Sequence, residues 1–295
     1  TSSELFRYTW TNTINVNKDF ANGHSLNAVA GMEMFQGKWY TSNFTGYDLN
    51  SDMMQSPAGI GDKSGSSLFP PSIGGGRTMS NLMSFFAQAS YSIANKYNFS
   101  ASLRHDTSSK FYEDNASATF WSVGASWLIS SESWFDNAKW LNQLKLRASY
   151  GTTGNQDGVS DFGTFDGYYN SSYNGESGYS HGQLGNSELR WETSAQTNVG
   201  LDVSVLDSRV NVTFDFYNIK TKDLYMSKNI STTSGFSSIL ANAGSIVNRG
   251  VELGVNTTPV KTQNFQWDLG FNYTYNKNKI TELYNGVTEY EMSST

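Results

Sequence analysis

Residues 265–276 read FQWDLGFNYTYN. Phe265, Trp267, Leu269, Phe271, Tyr273 and Tyr275 occupy one set of alternate positions, and Gln266, Asp268, Gly270, Asn272, Thr274 and Asn276 the other. A period of two that separates rings from polar groups is the pattern of a strand with one apolar and one wet face. The stretch is also long for a globular sheet, where strands average about five or six residues. It matches the roughly ten residues with which a strand crosses a bilayer.

The same alternation recurs along the chain. Phe85, Ala87, Ala89, Tyr91 and Ile93 oppose Gln88, Ser90 and Ser92, and Phe99, Ala101 and Leu103 oppose Ser100, Ser102 and Arg104. Trp121, Val123, Ala125, Trp127 and Ile129 oppose Ser122, Gly124 and Ser126. Val199, Leu201, Val203 and Val205 oppose Asn198, Asp202 and Ser204, and Val210, Val212, Phe214 and Phe216 oppose Asn211, Thr213 and Asp215. The spacing predicts about ten strands, and almost no window sustains a helical period.

The connections between these strands alternate too. Short ones are expected near 17–23, 95–97, 131–142, 206–209 and 259–264, and long ones near 38–81, 106–117, 152–190, 222–247 and after Lys279. An up-and-down meander then carries its long loops on one rim and its short turns on the other, which is the asymmetry of an outer-membrane barrel. The small, polar second face suits a wet lumen. A soluble sandwich would place more Lys and Glu there, and the lack of a fixed repeat length weighs against a solenoid or propeller. The expected fold is all-β: part of an antiparallel up-and-down transmembrane β-barrel.

Composition agrees. Aromatic residues make up 15% of the 295, charged residues only 16%, and Gly (27) far outnumbers Pro (4). Such a chain favours strands and lacks the high charge of disorder. There is no Cys, so disulfide frameworks and thiolate chemistry are excluded. A net charge of −6 argues against a nucleic-acid partner held by a basic field. No stretch approaches the roughly 18 apolar residues of a spanning helix, which leaves strands as the way across a membrane.

Chemical motifs are weak by comparison. KLRASYGTTGNQ (145–156) ends in a glycine- and hydroxyl-rich run, but Gly154 is followed by Asn155 and Gln156, not by the Lys-Ser/Thr and helix of a phosphate loop. Its glycines are expected to let the backbone bend where a strand leaves the bilayer and opens a loop of about forty residues. Leu146, Ala148 and Tyr150 are expected to face lipid, and Lys145, Arg147 and Ser149 the wet interior. His24, His105 and His181 lie far apart without metal-site spacing, and Asp157, Asp161 and Asp166 fit no EF-hand, so neither metal nor cofactor is expected. GDKSG (61–65) is equally weak, and no acid/base pair or nucleophile stands out, so no enzyme is expected. The best binding candidates are aromatic residues expected in two long loops: Trp39, Tyr40, Phe44 and Tyr47 in one, and Phe165, Tyr168, Tyr169, Tyr173 and Tyr179 in the other. Rings beside Asn, Gln and Asp can stack on sugars, although rings in loops more often pack loops together or against a partner.

Several stretches, taken in order, resemble one family: the SusC/RagA-type TonB-dependent transporters of the Bacteroidetes outer membrane. They are RHDTSSKF (104–111), LKLRASYGTTGNQ (144–156), LRWET (189–193) with QTNVGLD (196–202), TSGF (233–236), NRGVEL (248–253) and NYTYN (272–276). The resemblance runs through most of the chain from about Ser80 onward. Thr107 and Lys110 depart from the family's usual Gly and Arg. It implies that residues 1–295 are part of one β-barrel domain of about 22 strands, with the plug domain, TonB box and closing strands outside these residues. It further implies import of oligosaccharides or peptides, a SusD-like surface lipoprotein as lid, and TonB as the energy-coupling partner. Two alternatives remain: a passive porin or secretion barrel, and a soluble β-rich adhesin or carbohydrate-binding protein.

Overall fold

The structure, a computed structural model, describes residues 1–47 and 72–284. GDKSG (61–65) and any loop after Lys279 beyond Tyr284 lie outside the described residues. Ten strands form a single sheet: β1 (Ser2–Asp19), β2 (Ser25–Thr45), β3 (Ser72–Ile93), β4 (Tyr97–Ser108), β5 (Ser117–Leu128), β6 (Leu141–Asn155), then β9 (Glu192–Val205), β10 (Val210–Asn229), β11 (Ser238–Lys261) and β12 (Gln266–Glu282). A separate hairpin, β7 (Gly167–Tyr173) with β8 (Glu176–Gln183), sits in the connection between β6 and β9. Every pairing is antiparallel and follows chain order, so the sheet is an up-and-down meander. Among the described residues it is not closed, and β1 and β12 are its edges.

Alternation and register divide the residues between two faces. Cross-strand partners share a face, so Tyr150 lies with Val123 and Thr197, and Leu146 with Trp127 and Leu201. This face is a belt of exposed apolar groups, and a soluble core would have buried them; lipid is the solvent that suits it. The opposite face carries Arg104, Asp106, Arg147, Asp202 and Asp215, as the alternation predicts for a wet interior.

The short-turn rim is pinned by aromatic groups. Tyr97 and Trp127 pair across β4 and β5 with ring centroids 6.2 Å apart, and Trp134 lies 6.2 Å from Trp127. Glu132, in the turn 129–140, accepts hydrogen bonds from the Tyr97 hydroxyl at 2.6 Å, the Trp127 indole at 3.1 Å and Lys96 Nζ at 3.3 Å. Those donors, the Tyr97 phenol foremost, hold the Glu132 carboxyl below its ordinary range.

Three expectations need correction. Residues 38–45 are not a loop: β2 runs to Thr45 and pairs with β3 from Ser72, so the glycine run 74–76 lies within a strand. The long loop expected over 222–247 shrinks to 230–237, because β10 and β11 continue past a bulge at Asp223 (φ 59°) that breaks the alternation without ending the ladder. The connection 109–116 is also short, so length does not alternate strictly, and the turn 129–140 exceeds either.

Candidate functional site

The inner face is built from two ion-pair networks. In the first, Arg104 on β4 donates to Asp106 at 2.7 Å, to Glu33 on β2 at 3.0 Å and to Ser84 on β3 at 2.8 Å. Ser84 and Asp106 are buried although the face is polar. In the second, Arg147 on β6 reaches over β9 to Asp215 on β10 at 2.8 Å and holds Asp202 through Nε and Nη2 at 3.0–3.1 Å. Gly200 lies beneath that bridge, and a β-carbon there would sit 2.6 Å from both the guanidinium carbon and an Asp215 oxygen. Each network binds adjacent strands by holding one guanidinium between two carboxylates, so each keeps an excess of one negative charge and this wall is polar with an acidic bias.

The connection 156–191 folds onto this same face at the long-loop end. Its Val159, Leu189 and Trp191 form a small buried cluster with Phe111 and Phe120, flanked by Leu82, Tyr225 and Leu240. Phe120 pairs in register with Arg104 and Leu82 precedes Ser84 by two residues, which places the cluster on the inner side. Trp191 packs 5.2 Å from Phe111 and 5.8 Å from Phe120, and its indole donates to the Ala116 carbonyl at 3.2 Å. The Tyr225 hydroxyl lies 3.0 Å from the Asn155 carbonyl and 2.9 Å from that of Arg190, while Glu192 accepts from Asn155 Nδ2 at 2.7 Å and from the Tyr225 amide at 2.8 Å. Lys110 Nζ donates to the Val159 carbonyl at 2.9 Å, and the Ser108 hydroxyl bonds Gln156.

These contacts give the resemblance motifs a physical content. In RHDTSSKF, Arg104 and Asp106 tie the wall, while Ser108, Lys110 and Phe111 seize the inward loop. In LRWET, Leu189 and Trp191 are what is seized. KLRASYGTTGNQ keeps Arg147 on the inner face as expected, but its glycines do not bend the strand. β6 stays extended through Asn155, and a β-carbon on Gly154 would meet the Phe120 ring at 2.1 Å. Glycine there makes room for a ring that seats the loop.

The aromatic candidates fall in different places. Trp39, Tyr40 and Phe44 are strand residues of β2, with Tyr47 just beyond it. Trp39 pairs with Thr78 on the inner face; Tyr40 pairs with Arg77 on the outer face and lies under its guanidinium at 5.2 Å. Tyr168, Tyr169, Tyr173 and Tyr179 belong to the hairpin β7–β8, with Phe165 before it. Tyr168 stacks on His181 at 4.9 Å, His181 meets Phe236 edge-on at 4.8 Å, and Phe165 lies 6.3 Å from Tyr112. These rings join three connections of the same rim to each other. Tyr173 and Tyr179 remain the freest, at 89% and 80% exposure. Asp166, one of the three loop aspartates, accepts from the Gly185 amide at 2.9 Å and sits 3.4 Å from His181, so it ties the hairpin to the chain that follows it.

A meander with rings outside, charged networks inside and a loop folded over the inner face defines the wall of a transmembrane β-barrel. The chain belongs to the family described as TonB dependent receptor-like, beta-barrel, whose model matches residues 1–293. It is 36% identical over 275 residues to TonB-dependent receptor P39 of Formosa agariphila, covering 92% of this chain and 26% of that protein. It is 36% identical over 217 residues to TonB-dependent receptor SusC of Bacteroides thetaiotaomicron, covering 71% of this chain and 22% of that one. Its backbone superposes on a chain of the RagAB peptide transporter with a TM-score of 0.88 at 27% identity, over 99% of this chain and 32% of that chain. The chain thus spans about a quarter of the length of the curated relatives it matches. Receptors of this family are outer-membrane proteins of Gram-negative bacteria and transporters, not enzymes.

Proposed function

We propose that residues 1–295 form one part of a single barrel domain of about 22 strands, whose plug and remaining strands lie elsewhere in the protein, and that the whole imports oligosaccharides or peptides actively. TonB supplies the pull on the plug, and a SusD-like lipoprotein closes over the long-loop rim. The observation that carries this reading is the inward loop 156–191. It covers part of the inner face at the long-loop end, and its hairpin holds exposed Tyr173 and Tyr179 where a lid or an incoming chain of sugars or amino acids would meet them. Likeness to the SusC and RagAB proteins supports the same assignment. Trp39 on the inner face and the hairpin rings are the proposed contacts for substrate or lid; Tyr40 and Phe44, on the outward set of β2, fit a packing role better.

Uptake of labelled oligosaccharides and labelled oligopeptides by cells carrying or lacking the complete gene tests the proposal, with a TonB-deficient strain alongside. Uptake of one class should need both the gene and TonB. Uptake that persists without TonB would return the protein to the passive class.

A further inference from the structure

The outer face of β10–β12 changes character abruptly with height. Starting from the short-turn end it presents Val210, Val212, Phe214 and Phe216 on β10, Leu253 and Val251 on β11, and Phe271, Tyr273 and Tyr275 on β12. The next positions on the same face are Lys220 and Lys222 on β10, Arg249 on β11, and Lys277 and Lys279 on β12. Register fixes this: Phe216 pairs with Val251 and Val251 with Tyr275, while one step higher Asn218 pairs with Arg249 and Arg249 with Lys277. Above that, Lys220 pairs with Val247 and Val247 with Lys279. The Arg249 Nε donates to Asn218 at 2.6 Å, which confirms the shared face.

All five cations are exposed. None forms an ion pair among the described residues, although carboxylates are present in these strands. Asp215 and Glu252 pair with each other on the inner face, and Asp268 bonds Thr258 low on the hairpin. Asp223 is held by Arg190 at 2.6 Å, and Glu282 by the Ser245 hydroxyl at 3.3 Å. With strands about 4.8 Å apart and alternate residues about 6.8 Å apart, the five charges share a patch of roughly 10 by 14 Å. Arg249 directly opposite Lys277 is a like-charge cross-strand pair, an arrangement that costs stability unless an anion lies between. At the same height, β9 offers Thr193, Ala195 and Thr197 and β6 offers Tyr150 and Thr152, all neutral. Lys38 on β2 and Arg77 on β3 also stand on the outer face near the long-loop end, Arg77 over the Tyr40 ring, but among the described residues no other three adjacent strands bring five cations together on this face.

A recess of about 480 Å³, whose charged lining is Lys220, Lys222, Lys228 and Arg190 with Asp223 and Glu282, opens at the upper edge of this patch. We propose that Lys220, Lys222, Arg249, Lys277 and Lys279 bind the phosphate groups of an outer-leaflet glycolipid whose acyl chains lie against the aromatic belt below. The inference rests on the barrel reading, which puts the long-loop end at the outer surface. Height matches chemistry, because basic clusters just beyond an apolar belt recognise anionic headgroups, and the rings beneath supply the apolar half of an amphiphile's site.

The test uses the complete barrel in phosphatidylcholine nanodiscs, titrated with diphosphorylated lipid A, with its dephosphorylated form and with inorganic phosphate. Wild type should prefer the diphosphorylated lipid at least tenfold, and millimolar phosphate should not displace it. The variant K220Q/R249Q/K277Q/K279Q should lose at least tenfold of that binding, whereas K220R/K277R/K279R, which keeps the charges, should retain it. Retained heat-modifiable migration on gels shows that both variants are folded. Equal binding of the two lipids, unchanged binding by the glutamine variant, or full displacement by phosphate alone would each overturn the proposal. None of these outcomes touches uptake, so they leave the transporter reading standing or falling on its own assay.

Discussion

A β-carbon on residue 154 would have to displace the Phe120 ring, and that ring is one wall of the cluster seating Trp191. Gly154→Ala is therefore expected to cost about 1–3 kcal/mol as overpacking, read as a lower temperature for loss of heat-modifiable migration. In a double-mutant cycle with Phe120→Ala the two changes should couple, because the smaller residue removes the clash. Additive effects would mean that the ring does not lie where the structure puts it. Arg147 behaves differently, since its removal leaves Asp202 and Asp215 facing each other without their shared donor. Arg147→Met is expected to destabilise by about 1–3 kcal/mol, with Arg147→Lys between it and wild type because a point charge replaces a fork; equal stability of all three would refute the bridge. The side of the strand on which Arg147 stands was legible in the alternation of KLRASY. The role of Gly154 was not, because a glycine's neighbour across the sheet is a matter of register, and register between 120 and 154 cannot be read from either segment alone.

At the scale of elements, what was legible followed from how far each pattern persists. β12 and β5 alternate cleanly, and their pattern marks them in the sequence; in β10 the bulge at Asp223 shifts the phase by one residue, so the alternation stops short of the ends of β10 and β11. The hairpin β7–β8 lies inside the long loop that the sequence predicts, and its sign in the sequence is Asn174–Gly175. Both residues have positive φ, 51° and 86°, as a tight two-residue hairpin turn requires. This hairpin carries a pH dependence. The Gly185 amide, and after it His181, holds the Asp166 carboxyl below its ordinary value of 3.8. A depressed carboxyl stabilises above that ordinary value and loses its contribution as pH falls through its lower folded one. The protection of the Gly185 amide against hydrogen exchange, taken relative to a free amide at the same pH, should thus be high at pH 5 and fall below the ordinary carboxylate range, and Asp166→Asn should flatten that profile; an unchanged profile would remove the anchor. The loop as a whole hangs on Trp191. Trp191→Ala empties the centre of its cluster at about 3–5 kcal/mol, and limited proteolysis should then cleave within 157–188 while the strands stay protected. Protection of that segment in the variant would show that the polar ties from Lys110, Asn186 and Tyr225 suffice without the core.

For the molecule as a whole, the decisive quantity is the unpaired edge. β1 is 18 residues long and β12 is 17, and each has hydrogen-bonding groups along one side with no partner among the described residues. In water such an edge is tolerable; in hydrocarbon each unsatisfied backbone group costs several kcal/mol. The apolar belt forces the sheet into lipid, while the two edges forbid it from remaining there open, so the wall is stable only when other strands complete it. Residues 1–295 expressed alone with an outer-membrane signal should accordingly yield no monomeric heat-modifiable species, being degraded or associating edge to edge. The complete barrel should give such a species, and in it the amides of β1 and β12 should exchange as slowly as those of β4 and β5. A stable monomer of 1–295 in vesicles, with both edge strands resistant to protease and exchange, would show that the sheet closes on itself and would remove the case for a larger barrel.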